Sequence, residues 1–267
     1  MNINNIRVKK SLQSKSLLKV ISGINNTSIN KVIQVVKAAS LSKATYVDIA
    51  ANPRLVYEIK GICNLPVCIS SINPLDIYNC LVAGADIIEI GNYDFFYKNG
   101  IYLTLDQILS LVLEVKSFAK NVDICVTIPY HISLSDQLNL AKKLEMIGIN
   151  LIQTEGLANL SESRYMNPNL NISNLNNTFL PSLLSTYMIS RVVKVPIIAA
   201  SGCKNFTTSL SSIYGASGVG IGSSLTTLKS ISSMVNYINQ SSNSLSLSGG
   251  LENKFNKLIN ISELTKC

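Results

Sequence analysis

Charge is scarce in this 267-residue chain: 14% of the residues are Asp, Glu, Lys or Arg, against 47% hydrophobic. That balance excludes extensive disorder, which needs the opposite. Long apolar runs are missing too. None approaches the roughly 18 uninterrupted residues of a membrane span. Basic residues are not interleaved with aromatics on any stretch, so no nucleic-acid surface is expected. The six cysteines, at 63, 68, 80, 125, 203 and 267, include no CxxC pair. Cys63 and Cys68 in CNLPVC lack a second ligand pair, so the spacing predicts neither zinc nor a disulfide framework. Residues 1–17 have no continuous apolar core, and no cleavable signal peptide is expected. Acid is absent before Asp48, whereas Arg7, Lys9, Lys10, Lys15 and Lys19 precede it and contribute to a net charge of +8. Such a cluster reads either as a solvated first helix or as an attraction for anionic molecules.

What is present is a repeat. Short β-branched runs alternate with segments of helical period, the pattern of βα units and a parallel sheet. The strands are expected at 18–22, 45–49, 67–71, 86–90, 123–128, 150–155, 195–200 and 218–222. Helices are expected at 28–40, 52–60, 74–83, 104–119, 134–147, 181–192, 204–213 and 225–239. Asn52-Pro53 and Asn73-Pro74 each place a capping side chain before a proline at the first helical position. Eight such units in about 250 residues predict an α/β fold, a single (β/α)8 TIM-type barrel of the phosphate-binding kind. An open doubly wound sheet is the alternative. The barrel is expected over 18–240, after a basic N-terminal helix or arm at 1–17. A Ser-rich linker and a short amphipathic helix are expected over 241–267.

The stretch GASGVGIGSSL places glycines at 215, 218, 220 and 222. Its G-x-G-x-G spacing does not match a dinucleotide fingerprint. In a barrel it is the eighth strand and its exit, and IIAASG is the seventh; phosphate commonly binds after those two strands. Ser201, Gly202, Gly222 and Ser223 are therefore the expected phosphate-binding residues, with Gly215, Gly218 and Gly220 assigned to packing and turning. Asp48, Glu89 and Glu155 interrupt runs that would otherwise be buried strands. A carboxylate there serves as a general acid, a base or a metal ligand, or belongs to a polar network that needs a partner. His131, the one histidine, follows the fifth strand and is a candidate for catalysis or substrate contact, and Asn92 and Gln153 are candidate neutral contacts to a substrate. Lys19 lies inside the first strand rather than at a strand exit, which argues against Schiff-base chemistry. Two βα loops are long: 91–103, dense in aromatics, and 156–180, rich in Asn.

VDIAANPRLV, LPVCISSINP, GADIIEIGNYDFFY, VTIPYHISLSDQ, LIQTEG and VPIIAASG together resemble the plastid and cyanobacterial family of the conserved hypothetical chloroplast reading frame twenty-three. The resemblance covers about residues 16–239. It implies a plastid protein of the chloroplast stroma, or a cytoplasmic one in a cyanobacterium, and it implies no reaction. The absence of Trp and the abundance of Asn, Ile, Lys and Ser suit an AT-rich plastid genome. Three functions remain open at this point. One is an isomerase, epimerase or lyase acting by acid/base chemistry on a phosphorylated small metabolite. Another is a flavin mononucleotide-binding oxidoreductase using the same phosphate site. The third is a non-catalytic regulatory or binding barrel with the aromatic segment 93–97 as its partner surface. The sequence assigns no cofactor, no metal and no oligomeric state.

Overall fold

Side chains alternate across a strand, so a strand buried on both faces must be apolar throughout unless its polar groups find partners. The eight strands meet that condition but for the buried Tyr46 hydroxyl, which has no hydrogen-bond partner among the described residues. They are β1 Leu17–Ile21, β2 Tyr46–Ala50, β3 Val67–Ser71, β4 Ile87–Ile90, β5 Asp123–Ile128, β6 Leu151–Thr154, β7 Ile197–Ala199 and β8 Gly218–Ile221. In the computed structural model, which describes residues 3–91, 93–156, 179–204 and 207–247, they pair in chain order and parallel. The sheet closes through β1 on β8, with Val20 opposite Ile221. The chain is a closed (β/α)8 barrel.

The helices are α1 Ile6–Gln13, α2 Ile29–Ser40, α3 Pro53–Lys60, α4 Pro74–Val82, α5 Asp94–Tyr97, α6 Leu105–Phe118, α7 Leu134–Ile147, α8 Leu180–Ser190, α9 Thr208–Ile213, α10 Ser223–Thr226 and α11 Ile231–Leu247. Their start signals work as expected. Asn52 accepts from Leu55 N and Asn73 from Leu75 N, each before a proline in the first turn. The single helix expected over 225–239 is instead two. Thr226 and Thr227 hydroxyls bond back to the carbonyls of Ser223 and Ser224, ending α10, and Ser230 Oγ accepts from Ser233 N as the next helix starts. The second helix then runs on to Leu247, through residues whose composition reads as linker. Ser241 and Leu245 are buried there, and packing overrides the low helix propensity of serine.

Inside the barrel the strands carry a change of character. A lower layer is apolar: Leu17, Tyr46, Cys68, Ile87, Cys125, Leu151 and Ile198 cluster there. Below it, Ile3, Val8 and Leu12 join the same cluster, so α1 seals the N-terminal end of the barrel rather than lying free in solvent. Asp123 at the start of β5 fixes that seal, its two carboxylate oxygens each accepting from a backbone N–H, of Asn4 and Asn5, at 2.8 Å. Asp86, also at a strand start, pairs with Lys60 and accepts from Val67 N on this stabilising face. Two residues higher on successive strands the inward side chains become Lys19, Asp48, Ser70, Glu89, Thr127 and Gln153, all buried. The five described cysteines are free and buried.

Candidate functional site

The polar layer is a connected network. Lys19 Nζ lies 2.9 Å from Asp48 Oδ2, donates to Gln153 Oε1 at 2.9 Å, and pairs with Glu89 Oε2. Ser70 donates to Asp48 Oδ1 at 2.7 Å. Glu89 Oε1 accepts from Thr127 at 3.0 Å and from the Gln153 amide at 2.7 Å. Burial disfavours the Lys19 ammonium, but the two carboxylates outweigh it and hold Lys19 well above the ordinary lysine value. Burial likewise raises the Asp48 carboxyl to about 6, with Lys19 pulling it back and Glu89 adding to the rise. An ammonium so held carries its charge, donating to Glu89 and Gln153 and paired with Asp48, which is the opposite of the neutral amine a Schiff base requires.

Above this floor opens a cavity of about 640 Å³. Gln153 spans the two, since it bonds to Glu89 and Lys19 and also lines the cavity. Glu155, Ser201, Gly202, Gly222 and Ser223 line it as well. Six of the ten residues singled out in the sequence therefore converge on one space, from β6, β7 and β8. Asp48 and Glu89 lie in the floor beneath and are absent from its lining. Asn92 lies outside the described residues, as do 157–178 of the Asn-rich loop.

His131 sits to one side. Its Nδ1 is 3.3 Å from the Tyr97 hydroxyl, and its ring packs edge-on against Tyr97 and Tyr102. Burial lowers its pKa, against the opposing effect of a backbone hydrogen bond at Leu103. Tyr97 itself donates to Glu155 Oε2 at 2.7 Å, and Tyr130 N donates to the same oxygen at 3.2 Å. Burial, reinforced by Glu155, raises the Tyr97 phenol, so it remains a donor. The histidine thus reaches the cavity only through Tyr97 and Glu155. The aromatic segment expected as a partner surface is turned inward at two of its rings. Tyr93 and Tyr97 are buried, and the Tyr93 hydroxyl donates to Thr127 O at 3.1 Å.

The glycines of GASGVGIGSSL divide by what surrounds them. At Gly218 a Cβ would lie 2.6 Å from the Leu17 carbonyl oxygen, so packing alone requires glycine. At Gly220 a Cβ would lie 3.1 Å from Ala200 and Ile21 and 3.7 Å from Gln153 Oε1. At the exit of the neighbouring strand β7, Ser201 and Gly202 both adopt positive φ, 64° and 76°. Among the described residues, no group accepts a hydrogen bond from the N–H of Gly202, Ser223 or Ser224.

Sequence reasoning missed Lys19 as a site member, and with it Thr127 and Ser70. The signal was present but distributed: LKV, VDI, ISS, IEI, VTI and IQT each carry a polar residue at one inward height.

A family described as "Protein of unknown function (DUF561)" matches residues 3–249. The "Uncharacterized protein ycf23" of Antithamnion sp. is 46% identical over 244 residues, 90% of this chain and 88% of the relative. That of Cyanophora paradoxa is 41% identical over 91% of this chain and 98% of the relative. Among solved structures, 3-hexulose-6-phosphate synthase from Salmonella typhimurium is similar with a TM-score of 0.61 and 14% identity, covering 87% of this chain and 99% of that one. Thiamine phosphate pyrophosphorylase from Pyrococcus furiosus gives 0.57 and 15%, covering 91% and 99%. At such identities the likeness is one of fold.

Proposed function

This chain belongs to the family of proteins of unknown function DUF561, a name that carries no chemistry, and from its barrel mouth we propose that it binds a phosphorylated small metabolite and acts on it by proton transfer. The phosphate lies against the backbone N–H groups of Gly202, Ser223 and Ser224, and the reacting end of the ligand over Gln153 and Glu155. One observation carries the reading. Phosphate-type backbone donors and a positioned carboxylate, contributed by β6, β7 and β8, open on the same cavity. Several barrels of similar fold have a phosphorylated compound in their names, which agrees with it. Glu155, held by Tyr97 and Tyr130 N, is the group that exchanges a proton, in an isomerase, epimerase or lyase reaction. Asp48 and Glu89 serve from beneath, Glu89 holding the Gln153 amide directly and Asp48 acting on it through Lys19. The algal sources of the relatives support a plastid site of action.

The test is thermal unfolding in phosphate and in phosphorylated metabolites, against chloride at equal ionic strength. A ligand of the folded state at one hundred times its Kd adds about 2.7 kcal/mol, and each kcal/mol is worth about 2–4 °C in a chain of this size. Replacing Gly222 is the less clean variant, since an added Cβ would meet Ile21 Cβ at 3.3 Å. Ser223→Asp is better. Ser223 is exposed and opens α10, where an acid suits the first turn but repels phosphate. The variant should melt with the wild type in chloride and lose the phosphate response. A wild type indifferent to every phosphorylated ligand would sink the proposal.

A further inference from the structure

Among the described residues, Ser22 Oγ is the buried side-chain oxygen without a hydrogen bond that belongs to the lining of the cavity. The residue is 3% exposed. Its other polar groups are fully occupied. Its N–H donates to Asp48 O at 2.8 Å, and its carbonyl accepts from Asn26 Nδ2 at 3.2 Å. Asn26 N in turn bonds to Gly23 O at 3.1 Å, so the turn after β1 is closed by its own contacts and leaves the hydroxyl over. A buried hydroxyl without a partner is a cost to the folded protein, and natural structures keep few of them.

The ladder shows what lies beside it. Val20 stands opposite Ile221, a Cβ on Gly222 would touch Ile21, and Ser22 and Ser223, which follow these strands, both line the cavity. Lys31, in the first turns of α2, lines the same cavity and forms no ion pair with any described residue. Among the described residues Glu155 is the one carboxylate in the lining, and it follows β6, across the barrel from β1.

We propose that Ser22 is a ligand-binding residue of this mouth, its hydroxyl donating to the terminal phosphate of a phosphate monoester, with Lys31 as the accompanying cation. The inference rests on the phosphate reading above and extends that site from β7 and β8 onto β1. It also narrows the ligand class. Backbone donors on one side and a hydroxyl with an ammonium on the other suit a group with three terminal oxygens and a double negative charge, rather than a flat carboxylate or an internal phosphodiester.

Ser22→Ala tests this through two readouts that pull in opposite directions. The variant removes an oxygen that has no partner in the free protein, so its melting temperature in chloride should equal or exceed that of the wild type. Titrated calorimetrically with inorganic phosphate and with glycerol phosphate, it should bind about tenfold more weakly or worse, the usual effect of losing a hydrogen bond to a charged group. Lys31→Gln should weaken the same titrations, while acetate should bind all three proteins poorly. A lower melting temperature of Ser22→Ala in chloride would show that the hydroxyl serves the fold and overturn the proposal. So would an unchanged phosphate affinity in a preparation where the wild type binds and Ser223→Asp does not; that result leaves the phosphate reading standing. A wild type that binds neither probe overturns both.

Discussion

Lys19 is where the chemistry of single residues decides most in this molecule. Its ammonium is fully buried, and so are the carboxylates of Asp48 and Glu89 that surround it. Replacing Lys19 with Met would keep the packing and strand two negative charges in the barrel, a defect that costs about 3–5 kcal/mol in buried pairs. Urea unfolding of Lys19→Met should show that loss. The triple variant with Asp48→Asn and Glu89→Gln should recover most of it, because a neutral layer needs no cation. A Lys19→Met protein as stable as the wild type would mean that the floor is not an ion network. The need for a partner was legible in the sequence, since a carboxylate inside an apolar strand requires one. Its identity was not. The pairing of Lys19 with Asp48 depends on which strands adjoin and in what register, with Ile21 rather than Lys19 opposite Asp48, and spacing along the chain carries none of that. Ser22 was overlooked for a related reason: a serine at a strand end is ordinary until its neighbours are seen to leave the hydroxyl unmatched.

At the scale of elements, the strands could be read almost to the residue because burial on both faces leaves a continuous apolar signature, as in VCISS and DICVTI. The last helix could not. Its final turns are SSNSLSL, a composition suited to a linker, and only tertiary packing makes them helical. Ser241 sits at 0% and Leu245 at 3% exposure, on a helix that lies against α2 and α9. Leu245→Ala should therefore cost about 2–5 kcal/mol, as buried leucines do, measured by chemical denaturation. A loss below half a kcal/mol would restore the linker reading. The N-terminal helix shows the same effect from the other end. Its lysines caught attention in the sequence, yet Val8 and Leu12, the residues that position it, are two apolar side chains in a basic context.

For the whole molecule, the pairing of β1 with β8 has a consequence in time rather than in space. The first strand made waits for the last, some two hundred residues later, before its open edge is covered, so closure is a contact of high order and a slow step in folding. Ser22 stands on one lip of that join and Ser223 on the other. Under the binding proposed above, a phosphate held between them acts as a clasp, present only once both ends of the chain have met. Amide hydrogen exchange should register it: adding phosphate should slow exchange in β1 and β8 more than in β4 and β5, on the far side of the ring. Equal slowing everywhere would mean that the join opens only when the whole protein unfolds. If the difference is found, the ligand of this barrel also guards the place where its chain closes on itself.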